Sequence, residues 1–261
     1  LREILERKQI NVVRAMLGPD VGLHLVFLPE DHGGMGGGAY DVYRLSMEFA
    51  KVDLGLATAM LAVALGTDPI RVGCTEEQKS VWLDRIADEG MIVAYGVTEP
   101  EAGSNVQNLK TEAARITDAD GRVTHYRLNG VKQFISNGSI ADLYTILAKA
   151  PDGPTFFVVE RNTPGLTPGR HEIKHGIRLS DTAQVLLQDV VLPDDARLSA
   201  GDEAALQQAL DFGRAGAAAE LLGIADQAGT LEPGKVADLI AVDADPLADV
   251  RVLKQVRYVM R

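Results

Sequence analysis

Phe134 and Ser136 stand two residues apart in the run LNGVKQFISN, residues 128–137. In an extended strand, residues at i and i+2 share a face. Lys132, Phe134 and Ser136 are therefore expected on one side, and Gln133 and Ile135 on the other. A ring and a hydroxyl on one face suit a flat heteroaromatic ligand, because the ring stacks while the hydroxyl donates to the ligand's rim. Upstream, the run YGVTEPEAGSN covers residues 95–105. Tyr95 to Thr98 reads as a strand that stops at Glu99-Pro100, since Pro100 lacks an N–H for the ladder. Ala102-Gly103-Ser104-Asn105 then turns the chain, with Gly103 free to take positive φ. Exposed N–H groups and small hydroxyls at a strand end let donors converge on an anion or a carbonyl. Asn129-Gly130 reads as a hairpin turn between two extended runs. An ordinary antiparallel hairpin with a core Phe carries the same pattern.

Other chemistries fare worse. Gly34-x-Gly36-x-x-Ala39 follows an apolar run and precedes a helical one, as in a dinucleotide fold. That fingerprint needs its first Gly at the strand end, whereas Pro29-Glu30-Asp31-His32 intervenes and brings two carboxylates toward a pyrophosphate. No Gly-Lys-Ser/Thr follows, which excludes a phosphate loop. The five His are His24, His32, His125, His171 and His175. None forms a His-x-His pair. His171 and His175 have helical spacing, but Pro168-Gly169 and Gly176 argue for exposed loop positions. No metal site is read from the sequence.

Three regimes must position these residues. Residues 1–90 read helical: 40–50 and 54–65 are apolar at helical spacing, and Thr75 with Gln78 forms a capping box before an amphipathic run at 81–87. Residues 91–198 read as antiparallel β, with short runs at 111–116, 123–128, 143–148, 155–160 and 184–192. Asp120-Gly121, Asn129-Gly130, Asp152-Gly153 and Pro168-Gly169 punctuate them. Such spacing suggests a small barrel or sandwich. Residues 203–227, rich in Ala and Leu, read as a further helix.

The chain has 261 residues, enough to bury a core, and a net charge of −11, which argues against a nucleic-acid surface. Cys74 is the only cysteine, so no internal disulfide can form and a reducing, cytoplasmic setting is expected. No apolar run of membrane length is free of charges and Gly. Leu1-Arg2-Glu3 does not read as a signal peptide, and the lack of an initiator Met is expected of a fragment or trimmed chain.

The paired segments resemble the TEPxAGS-type and NGxKxWITN-type motifs of acyl-CoA dehydrogenases, in that order and with similar spacing. The likeness runs from Leu23 to Arg214. It takes in LPEDHGGMGGG, GCTEEQKSVWLDRIADEG, KHGIRLSDTAQVLLQDVVLP and LDFGR. Phe134 stands where the family usually has Trp, Ser136 where it has Thr, Glu101 where Gly is frequent and Asn105 where Asp is frequent. The first two exchanges keep a ring and a hydroxyl. The resemblance implies FAD as cofactor, with Phe134 beside the isoalloxazine and Ser136 bonded to its edge near the redox-active nitrogen. It further implies ring contacts from Tyr95, Val97 and Thr98, with Gly103 and Ile135 also at the cofactor. Ser104 would reach the pyrophosphate or the thioester, and Asp211 and Arg214 would contact substrate. It implies oxidation of an acyl-CoA thioester to its 2,3-enoyl product, electron transfer to an electron-transfer flavoprotein, and a homo-oligomer.

The C-terminal part departs from this pattern. GTLEPGKVADLIAVDADPLADVRVL, residues 229–253, resembles the terminal segment of metal-dependent amidohydrolases, and the helix 217–227 fits either family. An edge hairpin and strand would read the same way. In most acyl-CoA dehydrogenases the catalytic Glu lies in a C-terminal helical domain with no counterpart here. In isovaleryl- and long-chain-type members it directly precedes the Arg of the LDFGR-like segment, where this chain has Gly213. Glu220, two turns on, is a weak candidate base. Asp211 and Arg214 also suit a plain i, i+3 surface ion pair. The expected fold is α+β: a helical N-terminal domain at 1–90, an antiparallel β-barrel at 91–198, a remnant helix at 199–228 and a β tail at 229–261. The expected function is a truncated FAD-dependent acyl-CoA dehydrogenase lacking its base. The alternatives are a non-catalytic flavin-binding remnant or assembly subunit, and an amidohydrolase fragment.

Overall fold

The computed structural model describes residues 11–103 and 108–198, together with two short strands at 239–241 and 258–260. The chain divides into two compact units, Leu1–Leu210 and Asp211–Arg261. The first unit is mixed α+β, as expected: helices lead and a sheet follows.

Helix α1 is described over 11–17 and buries Val13, Met16 and Leu17. Two short 3-10 turns follow, Leu23–Phe27 and Glu30–His32. The Gly-rich stretch then folds back on them, with the amides of Met35, Gly36 and Gly37 donating to the carbonyls of Leu25, Leu28 and Val26. A Cβ at Gly34 would lie 2.0 Å from the Leu28 carbonyl oxygen, so close backbone approach explains the glycine there. Helices α2 (Ala39–Val52), α3 (Leu54–Gly73) and α4 (Glu76–Glu89) complete this part. The Asp53 carboxylate caps α3 by accepting from the Gly55 and Leu56 amides. α3 runs on through Pro69, well past the expected end near residue 65. Packing on the sheet holds it: a Cβ at Gly66 would lie 2.9 Å from Val93 Cγ1, and Thr145 Oγ1 donates to the Gly66 carbonyl at 2.9 Å. By length and composition α3 could cross a membrane, but 67% of its apolar window is buried inside the fold, as in a core helix. The capping box before α4 forms as expected, with Gln78 N donating to Thr75 Oγ1 and Thr75 N to Gln78 Oε1.

The sheet has seven strands: β1 (Val93–Gly96), β2 (Glu112–Thr117), β3 (Val123–Ser136), β4 (Leu143–Ala150), β5 (Gly153–Glu160), β6 (Leu166–His171) and β7 (Thr182–Pro193). Their order is β1-β4-β2-β3-β7-β6, with β5 on the other edge of β4. The antiparallel barrel expected from the sequence is not what forms. β1 and β2 both pair with β4 in parallel, and among the described residues the sheet does not close. The reason is the long path between β1 and β4: it carries the whole β2–β3 hairpin, so the chain returns to lie beside β1 in the same direction. β4 reads LYTILAKA and is buried everywhere but Lys149, as a strand covered on both faces must be.

Two turn signals act differently from expectation. Asn129-Gly130 makes no hairpin turn, because β3 runs through it with a register shift against β7 between Leu128 and Gly130. The Asn129 side chain accepts from the Asp189 amide at 2.8 Å and donates to the Asp189 carboxylate at 3.2 Å. Gly130 lets β2 approach, since a Cβ there would lie 2.4 Å from Thr111 Oγ1. Pro168-Gly169 lies inside the end strand β6, where the register also shifts, a position that tolerates a missing donor. The turns at Asp120-Gly121 and Asp152-Gly153 do form, as the β2–β3 and β4–β5 connections. In the second unit, β8 (Leu239–Ala241) pairs antiparallel with β9 (Tyr258–Met260).

Candidate functional site

The two motif segments meet where the chain leaves β1. The Gln133 amide donates to the Thr98 carbonyl at 2.8 Å, which sets Thr98 beside β3 at the residue before Phe134. After Thr98 the chain makes a tight turn: Glu99 N donates to Ala102 O and Ala102 N to Glu99 O. Pro100, Glu101 and Gly103 are exposed while Glu99 and Ala102 are buried, and among the described residues nothing lies within 4 Å of where a Cβ on Gly103 would stand. Tyr95 packs its ring against Phe156 at 5.7 Å between centroids, and Val97 is buried.

The strict alternation expected along Lys132–Ser136 breaks down. Lys132, Gln133 and Ile135 are buried, Phe134 is 60% exposed and Ser136 is half-buried. Lys132 therefore points into the core and not to the side of Phe134. The register explains this: Lys132 faces Val185 but Ile135 faces Ala183, so β3 holds one residue more than β7. That extra residue makes a bulge, and Phe134 absorbs it at φ 58°, the left-handed region. An aromatic residue held at positive φ costs of order 1–3 kcal/mol, and such outliers cluster at ligand sites. Beyond Ser136, Asn137 also sits at φ 60° and donates through Nδ2 to the Ala59 carbonyl of α3 at 3.0 Å.

The segment 172–181 borders this strand end. Ser136 pairs with Thr182, whose hydroxyl accepts from Lys174 Nζ at 2.7 Å. Asp181 accepts from the Ser139 amide and hydroxyl at 2.8 and 2.9 Å, and lies 3.3 Å from His171 Nδ1. His171 is thus half-buried against a carboxylate at the end of β6, not an exposed loop residue, whereas His175 is exposed. Ile173 and Ile177 expose apolar side chains on the same segment. Among the described residues no group of three His, Cys, Asp or Glu could hold a metal.

Behind the bulge lies a pair that the sequence reading missed. Lys132 Nζ is 2.7 Å from Glu99 Oε1, and the two side chains are 0% and 2% exposed. The ammonium also donates to the Leu147 carbonyl at 2.6 Å and the Val97 carbonyl at 3.3 Å. The Glu99 carboxylate accepts from the Lys110 and Thr111 amides and from the Thr111 hydroxyl. Burial pulls the Lys132 ammonium down to about 8, against the opposing pull of Glu99. Burial pushes the Glu99 carboxyl up, but the hydrogen bonds from Lys132, Thr111 and the Lys110 amide outweigh it and hold it below the usual carboxylate value. The signal available in the sequence was Lys132 as the one charged residue inside the apolar second segment, with Glu99 and Glu101 as its possible partners in the first.

Of the expected site residues, the fold brings Thr98, Phe134 and Ser136 to one end of β3, with Tyr95, Val97, Gly103 and Ile135 on or beside the same two segments. Ser104, Asp211, Gly213, Arg214 and Glu220 lie outside the described residues.

This arrangement has relatives. The family described as acyl-CoA dehydrogenase, N-terminal domain matches residues 2–90, and acyl-CoA dehydrogenase, middle domain matches 94–190. A third description, amidohydrolase family, matches 185–261. A short-chain-specific acyl-CoA dehydrogenase of Megasphaera elsdenii is 38% identical over 221 residues, covering 80% of this chain and 56% of that protein. The solved butyryl-CoA dehydrogenase of the same organism superposes with a TM-score of 0.69 at 32% identity, covering 82% of this chain and 58% of that one. An acyl-CoA dehydrogenase from Bacillus anthracis, solved in complex with FAD, gives 0.70 at 30% identity, covering 83% and 38%. Through residues 2–190 the chain belongs to the acyl-CoA dehydrogenase family, and its C-terminal part matches the amidohydrolase family. It spans about half the length of the curated relatives it matches.

Proposed function

We propose that this chain binds FAD at the Phe134 end of β3 and derives from an enzyme that oxidises acyl-CoA thioesters to 2,3-enoyl-CoA. The observation that carries the reading is Phe134 itself: an exposed aromatic at φ 58°, in a bulge next to Ser136 and to the Thr98 carbonyl. The residues present fit an isoalloxazine. Phe134 offers a face for stacking, Ser136 a hydroxyl for the ring edge, and Tyr95, Val97, Thr98, Gly103 and Ile135 line the adjoining backbone. Ser104 would serve the pyrophosphate or the thioester, and Asp211 and Arg214 the substrate. When bound, FAD supplies the two-electron acceptor for the substrate's β-hydrogen. The protein's own task is to orient the thioester, to polarise its carbonyl through hydrogen bonds and to exclude water. The solved relative bound to FAD supports the cofactor. An electron-transfer flavoprotein as acceptor, assembly as a homo-oligomer and a cytoplasmic location follow the same family analogy.

A base for the α-proton is the weak point. Gly213 occupies one family position for it, and Glu220 is the remaining candidate. Losing a positioned base typically lowers the rate by about two to four orders of magnitude. The 261-residue chain assayed alone is therefore expected to be a poor dehydrogenase even with FAD bound, which favours the second reading, a flavin-binding remnant or assembly subunit. Two measurements separate these readings. Flavin absorption bands in the purified protein after incubation with FAD support the site, and their lack refutes it. Reduction of an artificial acceptor with acyl-CoAs of several chain lengths tests the base. Turnover on the order of ten per second, common for intact enzymes, would show that a residue such as Glu220 acts as base.

A further inference from the structure

We propose that the buried Glu99–Lys132 pair is a positioning clamp that holds the turn at residues 97–102 against the Phe134 bulge, and so sets the shape of the flavin face. The inference rests on the flavin reading above.

The bonding pattern carries it. All three contacts of the Lys132 ammonium go to other segments: Glu99 and the Val97 carbonyl on the turn, and the Leu147 carbonyl on β4. The Glu99 carboxylate ties the same turn to the start of β2, through the Lys110 and Thr111 amides. Between Lys132 and the bulge, the Gln133 amide holds the Thr98 carbonyl. Both motif segments thus hang on one pair, and Lys132 lies two residues from Phe134. With Lys132 and Gln133 both drawn inward, the next residue has to turn out, and the extra residue of the bulge is placed at Phe134 rather than elsewhere on β3. A buried ion pair is a poor way to stabilise a core, since apolar residues of similar volume often do as well or better. An apolar pair would fill the space without holding the Val97 and Leu147 carbonyls. Specific geometry is what the pair adds.

The test separates positioning from bulk stability. Lys132→Met alone strands a buried carboxylate and should unfold readily in urea. The double variant Glu99→Gln/Lys132→Met removes both charges and should recover most of the lost urea midpoint. In that double variant the Gln133, Lys110 and Thr111 amides are expected to exchange with solvent at least roughly tenfold faster than in the wild type, measured without flavin. Its dissociation constant for FAD should rise at least roughly tenfold. Wild-type exchange with wild-type FAD affinity overturns the clamp, as does a change in either one without the other. Should the double variant not fold, Glu99→Gln alone, nearly isosteric, is judged by the same two readouts. If the wild type itself does not bind FAD, the flavin reading fails. The exchange rates then decide the clamp by themselves: faster in the variant supports it, unchanged overturns it.

Discussion

β3 loses register with β7 at two places, and the two are built differently. At the first, every component suits the distortion. Gly130 clears Thr111, Asn129 exchanges hydrogen bonds with Asp189, and Asp189 is a residue that tolerates its φ of 51°. At the second, a bulky aromatic takes φ 58° and presents its ring to solvent, although Gly or Asn would adopt that backbone at less cost. The first bulge is shaped by its own side chains. The second keeps its strain, and a strained exposed ring beside a buried ion pair is better explained by a ligand than by packing.

The largest expected effect lies at Lys132, behind the second bulge. Lys132→Met should cost about 3–5 kcal/mol of stability in urea melts, because Glu99 is left buried and unpaired. Lys132 also has a pH signature. Its folded pKa, about 8, lies below the unfolded 10.5, so between those values the unfolded chain binds more protons and stability gains with rising pH. Cys74 and Tyr144 act oppositely. Burial pushes both up to about 12, so their contribution is lost as the unfolded groups ionise first. The Lys132 part is therefore read as the difference between wild-type and Lys132→Met stabilities from pH 7 to 10.5, expected to widen with pH.

Gly130→Ala probes the first bulge directly. Its Cβ would meet the Thr111 side chain and Cα at 2.4–2.8 Å, so about 1–3 kcal/mol should be lost as β2 and β3 shift. Phe134→Gly should do the reverse. Relief of positive φ offsets the added freedom of Gly in the unfolded chain, leaving the urea midpoint unchanged or raised by up to about 1 kcal/mol equivalent. A clear loss of stability in Phe134→Gly would make the second bulge a packing feature like the first. Asn129→Ala should cost about 1 kcal/mol through its bonds to Asp189.

The sequence shows the helices and the turn chemistry of the short hairpins well, because capping boxes and Asp-Gly turns are local. It misleads where tertiary pairing overrides a local signal. Asn129-Gly130 has the composition of a hairpin turn, yet the long pairing of β3 with β7 keeps the strand going, and the dipeptide lies opposite a bulge in β7 at Asp189. The apolar helical spacing ends near residue 65, but contact of α3 with β1 and β4 carries the helix on through Pro69. Parallel pairing of β1 with β4 depends on partners 50 residues apart and leaves no local mark. At the site, Phe134 and Ser136 are legible by type, but the period-two argument assumes a regular strand. It therefore set Lys132 beside Phe134, when Lys132 continues the buried face of Tyr126 and Leu128 toward Glu99 and one extra residue turns Phe134 outward.

The central claim is that the second bulge is a flavin contact and the first is not. It is tested most directly by titrating FAD into the wild type, Phe134→Gly and Asn129→Ala, and following the flavin bands. The expected result is saturable binding by the wild type, affinity within about threefold of it for Asn129→Ala, and at least roughly tenfold weaker binding for Phe134→Gly with its fold intact. Equal affinity in Phe134→Gly and the wild type, or no binding by the wild type, would contradict the account.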